Sequence, residues 1–198
     1  MKPTFLVLPT ALLLSATLTC SFIDAASAAG SKPTTSALQQ KLSKIEANGN
    51  KAHPDPVPTT LTDDEVNAYL ASGAVKMPAG VQSVRLRGED GKISGTARVD
   101  FDAVRAGVHS SNPLLSLFSG VHDVDVVTHA YGEAGLGYVH TDSVSIDGVE
   151  VPQFVLQLFV DKYLTSQYPD IGLDSKFNLP DRIDSARVGE HKIVIVQK

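Results

Sequence analysis

The sequence predicts an α+β domain: a curved antiparallel meander of about five to seven strands packed on one long apolar helix, with shorter helices before it. Three observations carry that expectation. Apolar residues recur with a period of two from Val81 to Phe101 and again from Val121 to Ile146, a helix-start signature stands at Thr62, and residues 151–164 read as a helix that is apolar over most of its surface.

The chain opens Met1, Lys2, Pro3 and runs through Phe5, Leu6, Val7, Leu8, Ala11, Leu12, Leu13 and Leu14 to small residues at Ala26-Ser27-Ala28. A charged start, an apolar middle and an A-x-A site mark residues 1–28 as a secretory signal. Pro9, Thr10 and Ser15 interrupt the apolar run, which falls short of the roughly 20 residues of a spanning helix. Cleavage is therefore expected, with no transmembrane span in the mature chain. Thr17 and Thr19 stand where a lipid-bearing cysteine motif requires a Leu and a small residue, so anchoring at Cys20 is not expected. Cys20 is the chain's one cysteine, and losing it with the signal leaves neither a disulfide nor a thiolate metal site. A periplasmic or secreted protein stabilised by its core alone is the result.

Residues 29–60 are expected to hold a first helix and a Pro-rich linker. Leu38, Leu42 and Ile45 share a helical face over 31–48, Gly49 ends it, and Pro54, Pro56 and Pro58 follow. Residues 61–198 form the main domain. Its first helix, 63–72, has Thr62 as N-cap, Glu65 to close a capping box, Leu61 and Val66 as a hydrophobic staple, and Gly73 after its end. Val84 and Leu86 then alternate with polar neighbours up to a turn at Asp90-Gly91, and Ile93, Ala97 and Val99 resume the apolar face. A second hairpin turns near residues 132–135, and a last strand covers 191–197.

The net charge of −5 and the absence of Trp exclude a basic nucleic-acid face. No nucleophile elbow, His-Glu-x-x-His, Walker loop or Ser-x-x-Lys is present, so no catalytic residue, cofactor or enzyme activity is expected. Gly132-Glu133-Ala134-Gly135-Leu136-Gly137 reads as turn chemistry rather than a nucleotide fingerprint. If Tyr131 pairs with Leu136, then His129 faces Tyr138, Val127 faces His140 and Asp125 faces Asp142. His129, His140, Asp125 and Asp142 then either hold a metal or form a solvated face, with Val124, Val126, Ala130 and Val139 on the buried side. His109 and His122 flank turns and are expected to be exposed.

Two segments are more apolar than an ordinary surface element allows. Over 151–164, Gln153, Gln157 and Asp161 make one narrow polar stripe amid Phe154, Val155, Leu156, Leu158, Phe159, Val160, Tyr163 and Leu164. Leu114, Leu115, Leu117 and Phe118 crowd the connection between the hairpins. The two together either complete a solid core or line a groove between sheet and helix for a lipid or other apolar small molecule. The nominated lining is Leu114, Leu115, Leu117, Phe118, Phe154, Val155, Leu158, Phe159 and Tyr163. The alternative is a cell-envelope interaction module with a solid core and a protein partner.

The stretches Leu61-Thr62-Asp63-Asp64-Glu65-Val66-Asn67-Ala68-Tyr69-Leu70, Val144-Ser145-Ile146-Asp147-Gly148-Val149-Glu150-Val151-Pro152 and Phe177-Asn178-Leu179-Pro180-Asp181-Arg182-Ile183, in this order, resemble exported or membrane-attached bacterial proteins with a tubular, lipid-binding-like half-barrel. These are the phospholipid-binding kind seen in mycobacterial envelopes. The resemblance implies a strongly curved sheet wrapped around a long helix, with acyl chains lodged between them. It carries over no individual binding residue.

Overall fold

The computed structural model describes residues 33–108, 119–161 and 172–198. Its spine is one long hairpin, β4 (Val121–Glu133) and β5 (Leu136–Ile146). Ala134 and Gly135, with φ of 50° and 78°, make the two-residue turn between them. Along one edge of β4 lie two further hairpins end to end. β2 (Val81–Glu89) and β3 (Lys92–Asp100) come first, β3 pairing with Val121–His129. β8 (Ile183–Gly189) and β9 (Lys192–Gln197) come next, β8 pairing with Tyr131 and Gly132. The other edge, on β5, carries β6 (Val149–Glu150) and β7 (Asp174–Asn178). β1 (Thr59–Thr62) completes the nine-stranded sheet beside β9.

The spine changes partner at Ala130, between His129 on β3 and Tyr131 on β8. Ala130 N–H donates to the Gly91 carbonyl, and Gly91 N–H donates to the Val188 carbonyl, both at 3.1 Å, which joins the two docked hairpins. Gly132 and Gly137 sit directly opposite one another. A Cβ on Gly132 would lie 2.7 Å from Leu179 Cδ1, and one on Gly137 would lie 2.6 Å from the Phe177 ring. The run read as turn chemistry thus does two things: Gly135 allows the turn, and the glycine pair makes room for Phe177 and Leu179.

The main core gathers on the β1–β9–β8 side, under α1 (Pro33–Gly49) and α2 (Asp63–Ala71). Leu38, Ile45, Leu61, Val66, Tyr69, Leu70, Ile183 and Ile195 form it, with Val84 and Leu86 packed against it. The expected capping box and staple are present at the start of α2. Glu65 does more than close the box. Lys41 of α1 donates to both its carboxylate oxygens at 2.7 and 2.8 Å and to the Thr60 carbonyl at 2.7 Å, which clamps α1 onto the β1–α2 corner. Burial alone would raise the Glu65 carboxyl, but Lys41 and the Thr62 N–H outweigh it and hold the group below its ordinary value.

A buried amide pair ties down the far end of α1. Asn48 Nδ2 donates to Gln197 Oε1 at 2.9 Å, and Gln197 Nε2 donates to the carbonyls of Ile45 and Asp181 at 2.7 Å each. Asn48 also exchanges two 2.9 Å bonds with the Asp55 backbone, fixing the Pro-rich stretch. α2 in turn completes the edge of β2. Asn67 receives the Leu86 N–H and donates to the Leu86 carbonyl, both at 2.7 Å, and the Asp63 carboxylate receives the Gly88 N–H at 3.0 Å.

The expected fold class is corrected in three respects. The described residues are mostly β, six of their nine strands follow the order β1-β9-β8-β4-β3-β2 while β5, with β6 and β7 on it, branches from β4, which is no meander, and the helices on the core are α1 and α2. The long apolar helix is α4 (Gln153–Phe159), seven residues that no strand packs against substantially among the described elements. Residues 162–164 of that expectation lie outside the described residues. The physical reason is competition for the sheet: α1 and α2 take the core face through Leu38, Ile45, Val66 and Leu70. α3 (Phe101–Val108) continues directly from β3.

Two outcomes test this framework. Gln197→Leu strands the Ile45 and Asp181 carbonyls and should cost about 1–3 kcal/mol in urea unfolding. Asn67→Ala should cost a similar amount and, by baring the β2 edge, bring concentration-dependent self-association in sedimentation experiments.

Candidate functional site

Pairing across the sheet builds an apolar face that starts beside the main core at Val84 and Leu86 and runs out along the spine to β6. Val84, Ala97, Val124, Ile146 and Val149 are consecutive partners across β2, β3, β4, β5 and β6. Leu86, Gly95, Val126 and Val144 form the next row, and Val81, Val99 and His122 the row on the other side. Alternation explains it: every second residue of each strand points to one face. Toward the turn the same face is fully buried at Ile93, Thr128 and Ala130. Toward the β6 end Ala97, Val99, Val124, Val126, Val144 and Ile146 are only half-buried, and they belong to neither buried cluster of the described residues.

Of the nominated lining residues, Leu114, Leu115, Leu117, Phe118 and Tyr163 lie outside the described residues, as does the Phe159 side chain. Phe154 and Leu158 are on α4, 69% and 52% exposed, and Val155 is half-buried. Val149 of β6, just before α4 in the chain, is 71% exposed. The expected placement of Val124 and Val126 on one apolar side, with Ala130 and Val139, matches the face described. Val99, expected on the apolar face of the first hairpin, extends it, and what the sequence reading missed was that Val144 and Ile146 join it, because the bulge at Asp142 reverses the alternation of β5.

The opposite face is polar and aromatic. Arg187, Tyr131, Tyr138 and Lys176 stand in one row across β8, β4, β5 and β7. The tyrosine rings stack at 4.9 Å and 15°, with Lys176 Nζ 5.3 Å over the Tyr138 ring. The next row is Lys92, His129, His140 and Asp174.

The expected register of this hairpin is corrected by two residues. Tyr131 pairs with Tyr138 and His129 with His140, while Asp142 is the extra residue of a bulge and Asp125 pairs with Ser145. The two histidines are thus brought together, with their Nδ1 atoms on different aspartates: His129 Nδ1 lies 2.7 Å from Asp142 and His140 Nδ1 2.5 Å from Asp174, while His140 Nε2 is also 3.8 Å from Asp142. Asp125 accepts from the Thr96 hydroxyl at 2.7 Å instead. Among the described residues no group of three ligands converges to hold a metal.

His122, expected to be exposed, is instead half-buried on the apolar side of the sheet. His109 lies outside the described residues. No helix among the described residues is long and apolar enough to cross a membrane. No protein-family model, curated protein or solved structure matches the chain.

The hydrogen bonding of each Nδ1 to a different aspartate makes a definite prediction. Purified protein dialysed against zinc and then buffer should retain no stoichiometric metal by elemental analysis, and His129→Ala should leave that result unchanged. One retained zinc per chain, lost in His129→Ala, would mean that the two imidazoles rotate from their aspartates to share an ion.

Proposed function

We propose that this is an exported protein of the periplasm or cell exterior that binds an apolar ligand of the acyl-chain class on the β2–β6 face of its sheet. The observation that carries the reading is the set of facing rows from Val84 to Val149 and from Leu86 to Val144, aliphatic across several strands yet half-buried around Ala97, Val124 and Ile146. A sheet face of this composition gains about 25 cal/mol per Å² when an apolar partner covers it. The signal over residues 1–28 and the thiol-free mature chain support export, and the resemblance to half-barrel lipid binders agrees with the ligand class. The site differs from the groove first expected, because the sheet face and not a long helix supplies its wall.

A second reading has its own support. Phe154, Leu158 and Val149 are exposed on α4 and β6, and such a patch suits a protein partner in the cell envelope, with a solid core behind it.

Ala97→Phe separates the two, since Ala97 lies mid-row on the face. For an apolar-ligand site, the wild-type protein should take up a fluorescent fatty acid, and native mass spectrometry should find lipid on protein purified from its host. The variant should then bind at least about tenfold more weakly, or about 1.4 kcal/mol, at unchanged stability. For a solid core, the wild-type protein takes up nothing and the variant loses about 1–3 kcal/mol through overpacking.

A further inference from the structure

His122 lies near the start of β4, opposite Val99 and two residues before Val124, at the rim of the apolar face. The Phe101 ring of α3 meets it edge-on at 5.7 Å. Both ring nitrogens face oxygen acceptors. Nδ1 is 2.6 Å from the Asp147 carboxylate, in the turn between β5 and β6, and Nε2 is 3.1 Å from the Ser119 carbonyl. A neutral imidazole has one N–H. It can donate to one of these oxygens and must turn a lone pair toward the other, whereas the imidazolium donates to both. The turn is itself fixed to β4, with Asp123 N–H donating to Asp147 Oδ1 at 3.0 Å and Asp147 N–H to the Asp123 carbonyl at 2.8 Å.

We infer that His122 is a proton-operated latch: as the imidazolium it ties the β5–β6 turn to the Ser119 end of β4, and loss of its proton breaks one tie and loosens the rim of the apolar face. Its role in ligand access rests on the apolar-ligand reading; the latch itself does not.

The surrounding charges favour the closed form. From the β5–β6 turn comes Asp147. From α3 comes Asp102, which also pairs with Arg105 and receives the Gly120 N–H at 3.0 Å. From β3 comes Arg98, 3.4 Å from Asp123. The Asp147 hydrogen bond holds the imidazolium above its ordinary range. Desolvation opposes this, and the Ser119 carbonyl and the Asp102 charge add to it. The His122 hydrogen bond and the Asp123 N–H hold Asp147 below the ordinary carboxylate range.

A raised folded-state histidine contributes stability that is complete below its unfolded value of about 6.5 and fades as the pH rises through the folded value. A depressed carboxyl contributes above its unfolded value and loses its share as the pH falls through the folded one. The latch is therefore closed in mildly acid solution and opens as the pH climbs past the raised histidine value.

The test is a histidine-resolved NMR titration of the full mature chain, with amide exchange read at Gly120 and Asp147 and corrected for base catalysis. His122 should titrate above the ordinary imidazole range, and Asp147→Asn should return it toward that range. Corrected exchange at Asp147 should rise at least tenfold across the wild-type titration, and in His122→Gln it should stay at the open level throughout. A His122 that titrates at or below the ordinary value, or exchange that ignores its proton, overturns the latch. Fluorescent fatty-acid release, followed over the same range, decides its role. Release that steps with the His122 titration supports gating, and bound fatty acid released without that step overturns it. No uptake at any pH overturns the apolar-ligand reading and leaves the NMR titration to judge the latch.

Discussion

The edge of β2 is where this sheet would otherwise end in unpaired backbone, and the way it is closed decides the rest of the fold. α2 acts there in place of a strand: Asn67 bonds both the N–H and the carbonyl of Leu86, and Asp63 takes the Gly88 N–H. Those side chains reach because the Thr62–Glu65 capping box starts α2 at the last residue of β1, with no slack between them. The β8–β9 turn seals the corner, since His191 N–H donates to the Gly88 carbonyl at 2.9 Å and Asp63 N–H to the His191 carbonyl at 3.1 Å. With α2 fixed on this corner, Lys41 can draw α1 over the same half of the sheet. Both helices are then committed to one end. The β3–β6 end of the inner face lies beyond them, which is why its valines stay half-buried while Leu38 and Leu61 are fully enclosed.

Local signals were legible in the sequence where local chemistry decides the outcome. The capping box, the Asp90-Gly91 hairpin and the alternation along β2, β3 and β4 each depend on residues within a turn or two of one another. The junction of the spine was not legible. β4 exchanges β3 for β8 at Tyr131, a partner more than fifty positions away, and no periodicity reports which edge a distant hairpin will find. The two-residue error in the second hairpin has a specific cause. A two-residue turn with positive φ at both positions normally announces itself as Asn-Gly or Asp-Gly, and here the first position is Ala134. Alternation survives a shift of two, so the faces came out right up to the bulge at Asp142, beyond which Val144 and Ile146 turn to the apolar side.

Apolar composition proved a weaker guide than periodicity. The stretch around α4 looked like a core helix because so few of its residues are polar, yet Phe154 and Leu158 stay mostly exposed and Val160 is the buried one among its described side chains. The burial was instead claimed by helices of ordinary amphipathic pattern that had specific polar anchors: Lys41 on Glu65, Asn48 on Gln197, and Asn67 on Leu86. Those anchors fix position where apolar contact alone would leave it adjustable. A hydrophobic surface says that something must cover it, and a buried hydrogen bond says what.

The division of labour along the sheet bears on how such a chain could hold a ligand without a disulfide. The α1 end holds the main enclosed core, the clamp on Glu65, and the Asn48–Gln197 network with its carbonyl partners satisfied. At the β6 end the ties include ionisable ones, with half-buried His122 on exposed Asp147 the foremost of them. Local opening is governed by the interactions in the segment that opens, so the two ends can differ in mobility within one cooperative domain. The enclosed core lies at the α1 end, and the valines toward β6 stay half-buried among the described residues.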